Sequence, residues 1–207
     1  MTALIYVMDP MCSWCWAFAP ELESFRARYP EPPLQFVMGG LAPDSDAPMP
    51  AEMQQQIQSV WQQIERRTGT VFNHDFWRLN QPRRATWDAC RAVIAAGRLQ
   101  AGSEAAMIAA IQRAYYLEAR NPSDREVLVS LAAEQGLDPD AFRLALEDDE
   151  TDAQLHRHFA LKDGIGVQGF PTLLLQQDDE LAVLSAGYTT ADRLLDRYAR
   201  LRSQTDE

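Results

Sequence analysis

The residues of this chain that are hardest to read as mere packing stand together, in Met11-Cys12-Ser13-Trp14-Cys15-Trp16. Two cysteines three apart lie about one turn from each other on a helix, close enough to join in a disulfide. A thiolate is the reactive form of cysteine, and the unpaired N–H groups at a helix start favour negative charge. The spacing therefore predicts a division of labour. Cys12, at the helix start with its sulfur outward, attacks a partner; Cys15, one turn deeper, closes the disulfide and releases it. A helix terminus contributes about 0.3 to 2 kcal/mol to a thiolate, and anything more needs contacts to the sulfur. Ser13 offers one hydroxyl and Trp14 no second cation, so a moderately activated cysteine is expected.

The pair has two other readings. It could be half of a zinc site, but the remaining ligands would come from Cys90, His74, His156 and His158, and His156 and His158, two apart, point to different sides of a helix. Or both cysteines could be core residues. The order of the surrounding elements favours redox chemistry, because a strand running into Cys-x-x-Cys at the mouth of a helix is a redox arrangement.

Those elements can be read from pattern. Leu4-Ile5-Tyr6-Val7-Met8 is an apolar strand, and after the motif Ala17, Leu22, Phe25 and Ala27 fall near one side of a helix. Asp9-Pro10 starts the turn between them; a role for Asp9 as proton acceptor for Cys15 is the alternative. Pro30-Glu31-Pro32-Pro33 breaks the helix, and Leu34 to Met38 is a second strand ending at Gly39-Gly40. Strand, helix and strand make a right-handed unit with parallel strands.

Ala42 to Pro50 is a loop, and from there to Gly164 the pattern is helical throughout. Helices are expected around Met53 to Ile64, ending at Thr68-Gly69, then over Ala85 to Leu99 and Ala105 to Ala119. Cys90, beside Trp87 and Ile94, reads as a small core hydrophobe. Ser123-Asp124-Arg125-Glu126 is a capping box, Asp138-Pro139 an N-cap followed by a first-turn proline, and Thr151 to Lys162 a last helix. Strands Thr172 to Gln176 and Leu181 to Ser185 then flank a hairpin loop, Gln177 to Glu180. Thr189 or Thr190 caps a terminal helix whose apolar face carries Leu194, Leu195, Tyr198 and Leu201.

Composition sets bounds. The 207 residues carry a net charge of -11 with a pI near 4.7, which argues against nucleic acid or an anionic membrane as partner. No apolar run approaches the roughly 20 residues of a membrane span. Three cysteines leave one over, which suits a reducing compartment, and the strand beginning almost at once leaves no basic, cleavable leader. Cytoplasm is the expected location.

Gly169-Phe170-Pro171-Thr172 is the second informative motif, since a proline directly before an apolar strand must sit at its first position or an edge. With the cysteine pair after the first strand, the helical stretch between, and the hairpin and helix that follow, the whole chain resembles the DsbA family of thiol–disulfide oxidoreductases. Within it, the chain is most similar to the leaderless FrnE-like branch, where a Trp before the second cysteine is common. The resemblance implies an α/β, thioredoxin-like fold with a large all-helical insertion. Residues 1–45 and 165–207 would form the discontinuous thioredoxin-like domain and 46–164 the helical subdomain.

The resemblance also implies roles. Cys12 is the attacking and Cys15 the resolving cysteine, and Pro171 is a cis-proline facing them, the alternative being an ordinary trans proline at a strand start. Ser13, Trp14, Trp16, Phe170 and Thr172 are candidate substrate contacts, with Trp14 or Trp16 forming an apolar collar. The Cys12–Cys15 pair is itself the redox group, with no metal or organic cofactor, and glutathione is a candidate co-substrate. Partners would be proteins, peptides or small molecules bearing a disulfide or thiol. Trp14 stands where secreted DsbA has a histidine, so a potential in the more reducing half of the range from about -120 to about -270 mV is expected. The rival functions are a glutathione-dependent transferase or isomerase of the kappa and 2-hydroxychromene-2-carboxylate isomerase type, which needs no Cys15, and a non-catalytic binding module.

Overall fold

The computed structural model describes residues 2–178 and 180–203. Strand β1 (Thr2–Met8) leads into helix α1 (Ser13–Arg28), and β2 (Leu34–Met38) follows. Helices α2 (Ala51–Thr68), α3 (Phe76–Leu79), α4 (Trp87–Leu99), α5 (Glu104–Tyr116), α6 (Arg125–Glu134), α7 (Pro139–Glu147) and α8 (Asp149–Ile165) come next. The chain then returns through β3 (Thr172–Gln177) and β4 (Glu180–Ala186) to helix α9 (Ala191–Ser203).

The sheet runs β2-β1-β3-β4. β1 pairs in parallel with β2, Leu4 opposite Leu34 and Met8 opposite Met38, as a strand–helix–strand unit requires. It pairs antiparallel with β3, which sets Val7 opposite Thr172 and so brings the end of β1 to the start of β3. β1 is apolar at nearly every position because both of its faces are covered. Leu4, Tyr6 and Met8 join the main core with α1, while Ile5 and Val7 meet Val37 and Leu174 on the other face, beneath Ile165, Val167 and Phe170.

α1 buries Cys15, Ala17, Phe18, Leu22 and Phe25, and each large apolar side chain so buried is worth about 1.5–3 kcal/mol. Ala27 lies on the exposed side, unlike the expected stripe, since two residues beyond the buried Phe25 is more than half a turn round the helix. The main core is continuous with the helical region: Trp61, fully buried, packs on Phe72, Phe76, Tyr115 and Tyr116, and Tyr116 stacks on Trp16 of α1 with ring centroids 5.7 Å apart.

Several local expectations change. The capping box does not form: Ser123 Oγ donates to the Ala85 carbonyl, Asp124 accepts from Arg83 and Glu126 pairs with Arg143 of α7. Charge-assisted bonds across the fold outcompete the local cap. α9 begins under the Glu21 carboxylate, whose Oε2 accepts the Ala191 N–H at 2.7 Å, in place of a threonine cap. The hairpin loop is shorter than Gln177 to Glu180, because both end residues belong to strands and pair with each other; Asp179 lies outside the described residues. α3 had no periodicity to announce it, being four residues long. Asp138 caps α7 as expected, accepting from the Ala141 N–H at 2.8 Å.

Candidate active site

Asp9 shapes the turn that presents the cysteines. Its backbone carbonyl accepts the Cys12 N–H at 3.0 Å and its Oδ1 the Met11 N–H at 2.8 Å, so the chain turns within three residues of leaving β1. Cys12 is thereby left as the N-cap of α1 in an extended conformation (φ -82°, ψ 116°), its own carbonyl accepting the first helical N–H, from Trp16. Its sulfur faces the segment before β3, with the Sγ donating towards the Phe170 carbonyl oxygen at 3.8 Å.

That segment is held in place from both sides. The Phe170–Pro171 peptide is cis. Thr172 Oγ1 donates to the Gly169 carbonyl at 2.8 Å, and the Pro171 carbonyl accepts the Gly187 N–H at 2.7 Å. Pro171, one residue ahead of β3, owes no ladder hydrogen bond. The Phe170 ring seats against Gly39, where a Cβ would fall within 2.1 Å of it. The two motifs, at opposite ends of the sequence, thus share one place.

Cys15 is fully buried one turn below Cys12. Burial pushes its thiol well up and the Cys12 sulfur adds to this, while a backbone hydrogen bond from Asp9 works the other way. Cys12, expected to face outward, keeps only 7% of its surface exposed and Cys15 keeps none, so the pair differs in access by a small opening at Cys12. Two buried phenols lie close by. Neither Tyr6 Oη nor Tyr116 Oη has a hydrogen-bond partner among the described residues; burial pushes both well up, and the two cysteines add to the effect.

Asp9 does more than start a turn. Its carboxylate is fully buried, and Oδ2 accepts from the Leu41 N–H at 2.7 Å, Thr86 Oγ1 at 2.6 Å and Cys90 Sγ at 3.5 Å. Burial raises its carboxyl and the four hydrogen bonds hold it back. One side chain so ties the cysteine turn, the segment after β2 and the start of α4. Cys90 is buried as expected, but as a donor to Asp9 as well as a packing group. His158 Nδ1 accepts the Met38 N–H, and burial lowers its basicity; His74 pairs with Glu65 and His156 with Asp152.

The two tryptophans flank Cys15 differently. Trp16 donates from Nε1 to the Val71 carbonyl at 3.1 Å and stacks on Tyr116. Trp14 packs beside Tyr188, ring centroids 5.9 Å apart, and the Arg67 guanidinium lies 5.5 Å from the Trp14 ring and 6.0 Å from that of Tyr188. Ser13 is half-buried at the first position of α1. Arg67, Tyr188, Tyr116, Thr86 and Glu21 went unnoticed in the sequence. All but Glu21 sit on elements remote from the motif, and Glu21, on α1 itself, has its partners Tyr188 and Ala191 far along the chain, so no local pattern points to them.

Residues 3–199 match the family model of the DSBA-like thioredoxin domain. A chain from Nitrosomonas europaea described as a protein disulfide isomerase superposes with a TM-score of 0.88 at 27% identity, 98% of each chain being covered. The cytosolic disulfide reductase DsbM of Pseudomonas aeruginosa superposes with a TM-score of 0.80 at 28% identity, over 99% of this chain and 98% of its own, and has also been solved with GSH. A 2-hydroxychromene-2-carboxylate isomerase, at a TM-score of 0.61 and 17% identity over 99% of this chain and 98% of that one, shares the fold alone. A curated protein, the ClpXP adapter protein SpxH of Halalkalibacterium halodurans, is 22% identical over 188 residues, 87% of this chain; the chain spans only 61% of that relative's length.

Proposed function

We propose that this chain, which belongs to the DSBA-like thioredoxin domain family, is a thiol–disulfide oxidoreductase, that Cys12 and Cys15 are its redox-active pair, and that the segment Phe170-Pro171-Thr172 receives the substrate. Cys12 thiolate attacks one sulfur of a substrate disulfide and expels the other as a thiolate. Cys15, after losing its proton, attacks the Cys12 sulfur of the mixed disulfide, the second substrate thiolate leaves, and the protein ends as the Cys12–Cys15 disulfide. Two electrons pass to the substrate, and the reverse sequence oxidises a dithiol.

The observation that carries this reading is the placement of Cys12 Sγ at a helix start, 3.8 Å from the Phe170 carbonyl, with Cys15 fully buried one turn below. Cys12 keeps a small exposed surface through which a partner would reach it, and Cys15 keeps none. Pro171, Phe170 and Thr172 would supply backbone groups to an extended substrate; Ser13, Trp14 and Trp16 would line its approach. The helical region, residues 46–164, acts as a subdomain that walls this approach, through Arg67, Val71 and Tyr116.

The redox group is then the cysteine pair, without metal or organic cofactor, and the substrates are proteins, peptides or small molecules with a disulfide or thiol. DsbM solved with GSH supports glutathione as co-substrate, and its being cytosolic supports a cytoplasmic location. Among the described residues no helix is long and apolar enough to cross a membrane. Insulin reduction with dithiothreitol as donor tests the proposal: the protein should accelerate precipitation of the insulin B chain. A glutathione-dependent isomerase or a pure binding adapter leaves the rate at that of dithiothreitol alone.

A further inference from the structure

Arg67 lies against the cysteine motif, over the Trp14 ring, and its surroundings leave it uncommitted. It stands in the last turn of α2 with its guanidinium over two aromatic faces, 5.5 Å from the Trp14 ring and 6.0 Å from the Tyr188 ring. Both distances fall within the range over which a cation is drawn to a ring face. Trp14 lies between the two cysteines, so this cation sits on the rim of the redox pair. Tyr188 is fixed in turn: its hydroxyl donates to Glu21 Oε1 at 3.0 Å.

The geometry matters because of what it leaves free. A guanidinium presents five N–H donors in its own plane, in a fork that matches a carboxylate, and stacking occupies its faces without consuming those donors. Among the described residues, no carboxylate forms an ion pair with Arg67. The acid tied into this rim, Glu21, spends Oε1 on Tyr188 and Oε2 on the Ala191 N–H. In a chain of net charge -11, an exposed arginine with no ion-pair partner among the described residues, backed by the Trp14 ring of the cysteine motif, is a local reversal of sign.

We infer that Arg67 is a substrate-binding residue that recognises a carboxylate carried near the reacting sulfur, and that it selects anionic small thiols and disulfides of the glutathione kind over neutral or cationic ones. The inference rests on the thiol–disulfide reading of Cys12 and Cys15 and names the substrate class for that same site. Trp14 and Tyr188 then hold the guanidinium in place, so that little freedom is lost when the carboxylate arrives.

The test is single-turnover oxidation of the reduced, full-length protein by three disulfides: glutathione disulfide (anionic), 2-hydroxyethyl disulfide (neutral) and cystamine (cationic). Each oxidation yields the Cys12–Cys15 disulfide and two substrate thiols, and Trp14 and Trp16 give a fluorescence signal beside the pair. The readout is the ratio of second-order rate constants, glutathione disulfide over 2-hydroxyethyl disulfide. Arg67→Ala should lower that ratio about tenfold, the effect of losing about 1.4 kcal/mol. Arg67→Glu should lower it further and raise the relative rate with cystamine, while Arg67→Lys should keep part of it, having the charge without the fork. Arg66→Ala, with the same loss of charge in the same helical turn, should leave the ratio as it is. Added salt should lower the wild-type ratio and leave that of Arg67→Ala flat. A ratio unchanged in Arg67→Ala, or lowered as much by Arg66→Ala, overturns the inference. Failure of all three disulfides to oxidise the wild-type protein is a different result and overturns the redox reading itself.

Discussion

Cys12 and Phe170 meet across the site: the thiol sulfur lies 3.8 Å from the Phe170 carbonyl oxygen although 158 residues separate them in sequence. The sheet makes the meeting unavoidable. β1 and β3 are neighbours in antiparallel register with Val7 opposite Thr172, so the segment that leaves β1 and the one that enters β3 emerge at the same end. An acceptor carbonyl beside the Cys12 sulfur is, in the proposed mechanism, where an extended substrate backbone aligns.

Gly39 guards that alignment. A Cβ there would come within 2.1 Å of the Phe170 ring, so Gly39→Ala must displace the ring of the residue whose carbonyl faces Cys12. Overpacking of this kind costs about 1–3 kcal/mol. The expected outcome is a lower urea midpoint together with slower oxidation of the reduced protein by 2-hydroxyethyl disulfide. Unchanged values of both would show that Phe170 yields without consequence.

Asp9 gives a pH signature. Its carboxyl is raised in the folded state by burial, so the folded protein binds the Asp9 proton more tightly than the unfolded chain. Stability from this group is present below the ordinary carboxyl value of 3.8 and is lost as pH rises through the raised one. Asp9→Asn removes this titration and points an amide at donors that need an acceptor; each buried donor left unpaired costs about 1–3 kcal/mol. The variant should be less stable than wild type, and the gap should narrow as pH rises from about 4. Denaturant titrations at several pH values measure this; a gap that widens with pH contradicts the account.

The Asp9 network also shows where sequence reading stops. The strand, the cysteine pair and the helix are local in sequence, and their order alone was enough to expect Cys12 at the start of a helix and Cys15 one turn on, where the structure has them. Pro171 could be paired with them through the Gly-Phe-Pro-Thr motif and the family it resembles. Asp9 looked like a turn residue because its partners Leu41, Thr86 and Cys90 belong to other elements, brought in only by tertiary packing. The same holds for Glu21, an ordinary helix-surface acid by pattern, which accepts the first N–H of α9. Short-range capping rules failed at Ser123 and Glu126 for the converse reason, since groups from other segments, the Ala85 carbonyl and the Arg143 guanidinium, were better partners.

Trp61 is the packing centre between the helical region and the active-site helix. It is fully buried, touches Tyr116, and Tyr116 stacks on Trp16. Trp61→Ala should cost about 3–5 kcal/mol, read from urea denaturation, with a change in Trp16 fluorescence as its neighbour Tyr116 loses support. A loss below about 1 kcal/mol would mean that the core closes over the gap, at odds with the usual cost of cavities.

The redox potential should lie in the more reducing half of the range from about -120 to about -270 mV. The residues between the cysteines, Ser13 and Trp14, bring no cation of their own to the sulfur, and Arg67 lies over the face of the Trp14 ring. Equilibration in glutathione buffers of known ratio measures it. A value near -120 mV would require another group to stabilise the reduced form.

The central claim is the two-step division between a cysteine with a small exposed surface and a fully buried one, and trapping tests it most directly. Cys15→Ser protein, mixed with a disulfide substrate and quenched in acid, should accumulate a covalent adduct on Cys12, seen by mass spectrometry and reversed by dithiothreitol. Cys12→Ser should form none, because Cys15 is fully buried. No adduct on Cys15→Ser, or an equal yield on Cys12→Ser, would contradict the account.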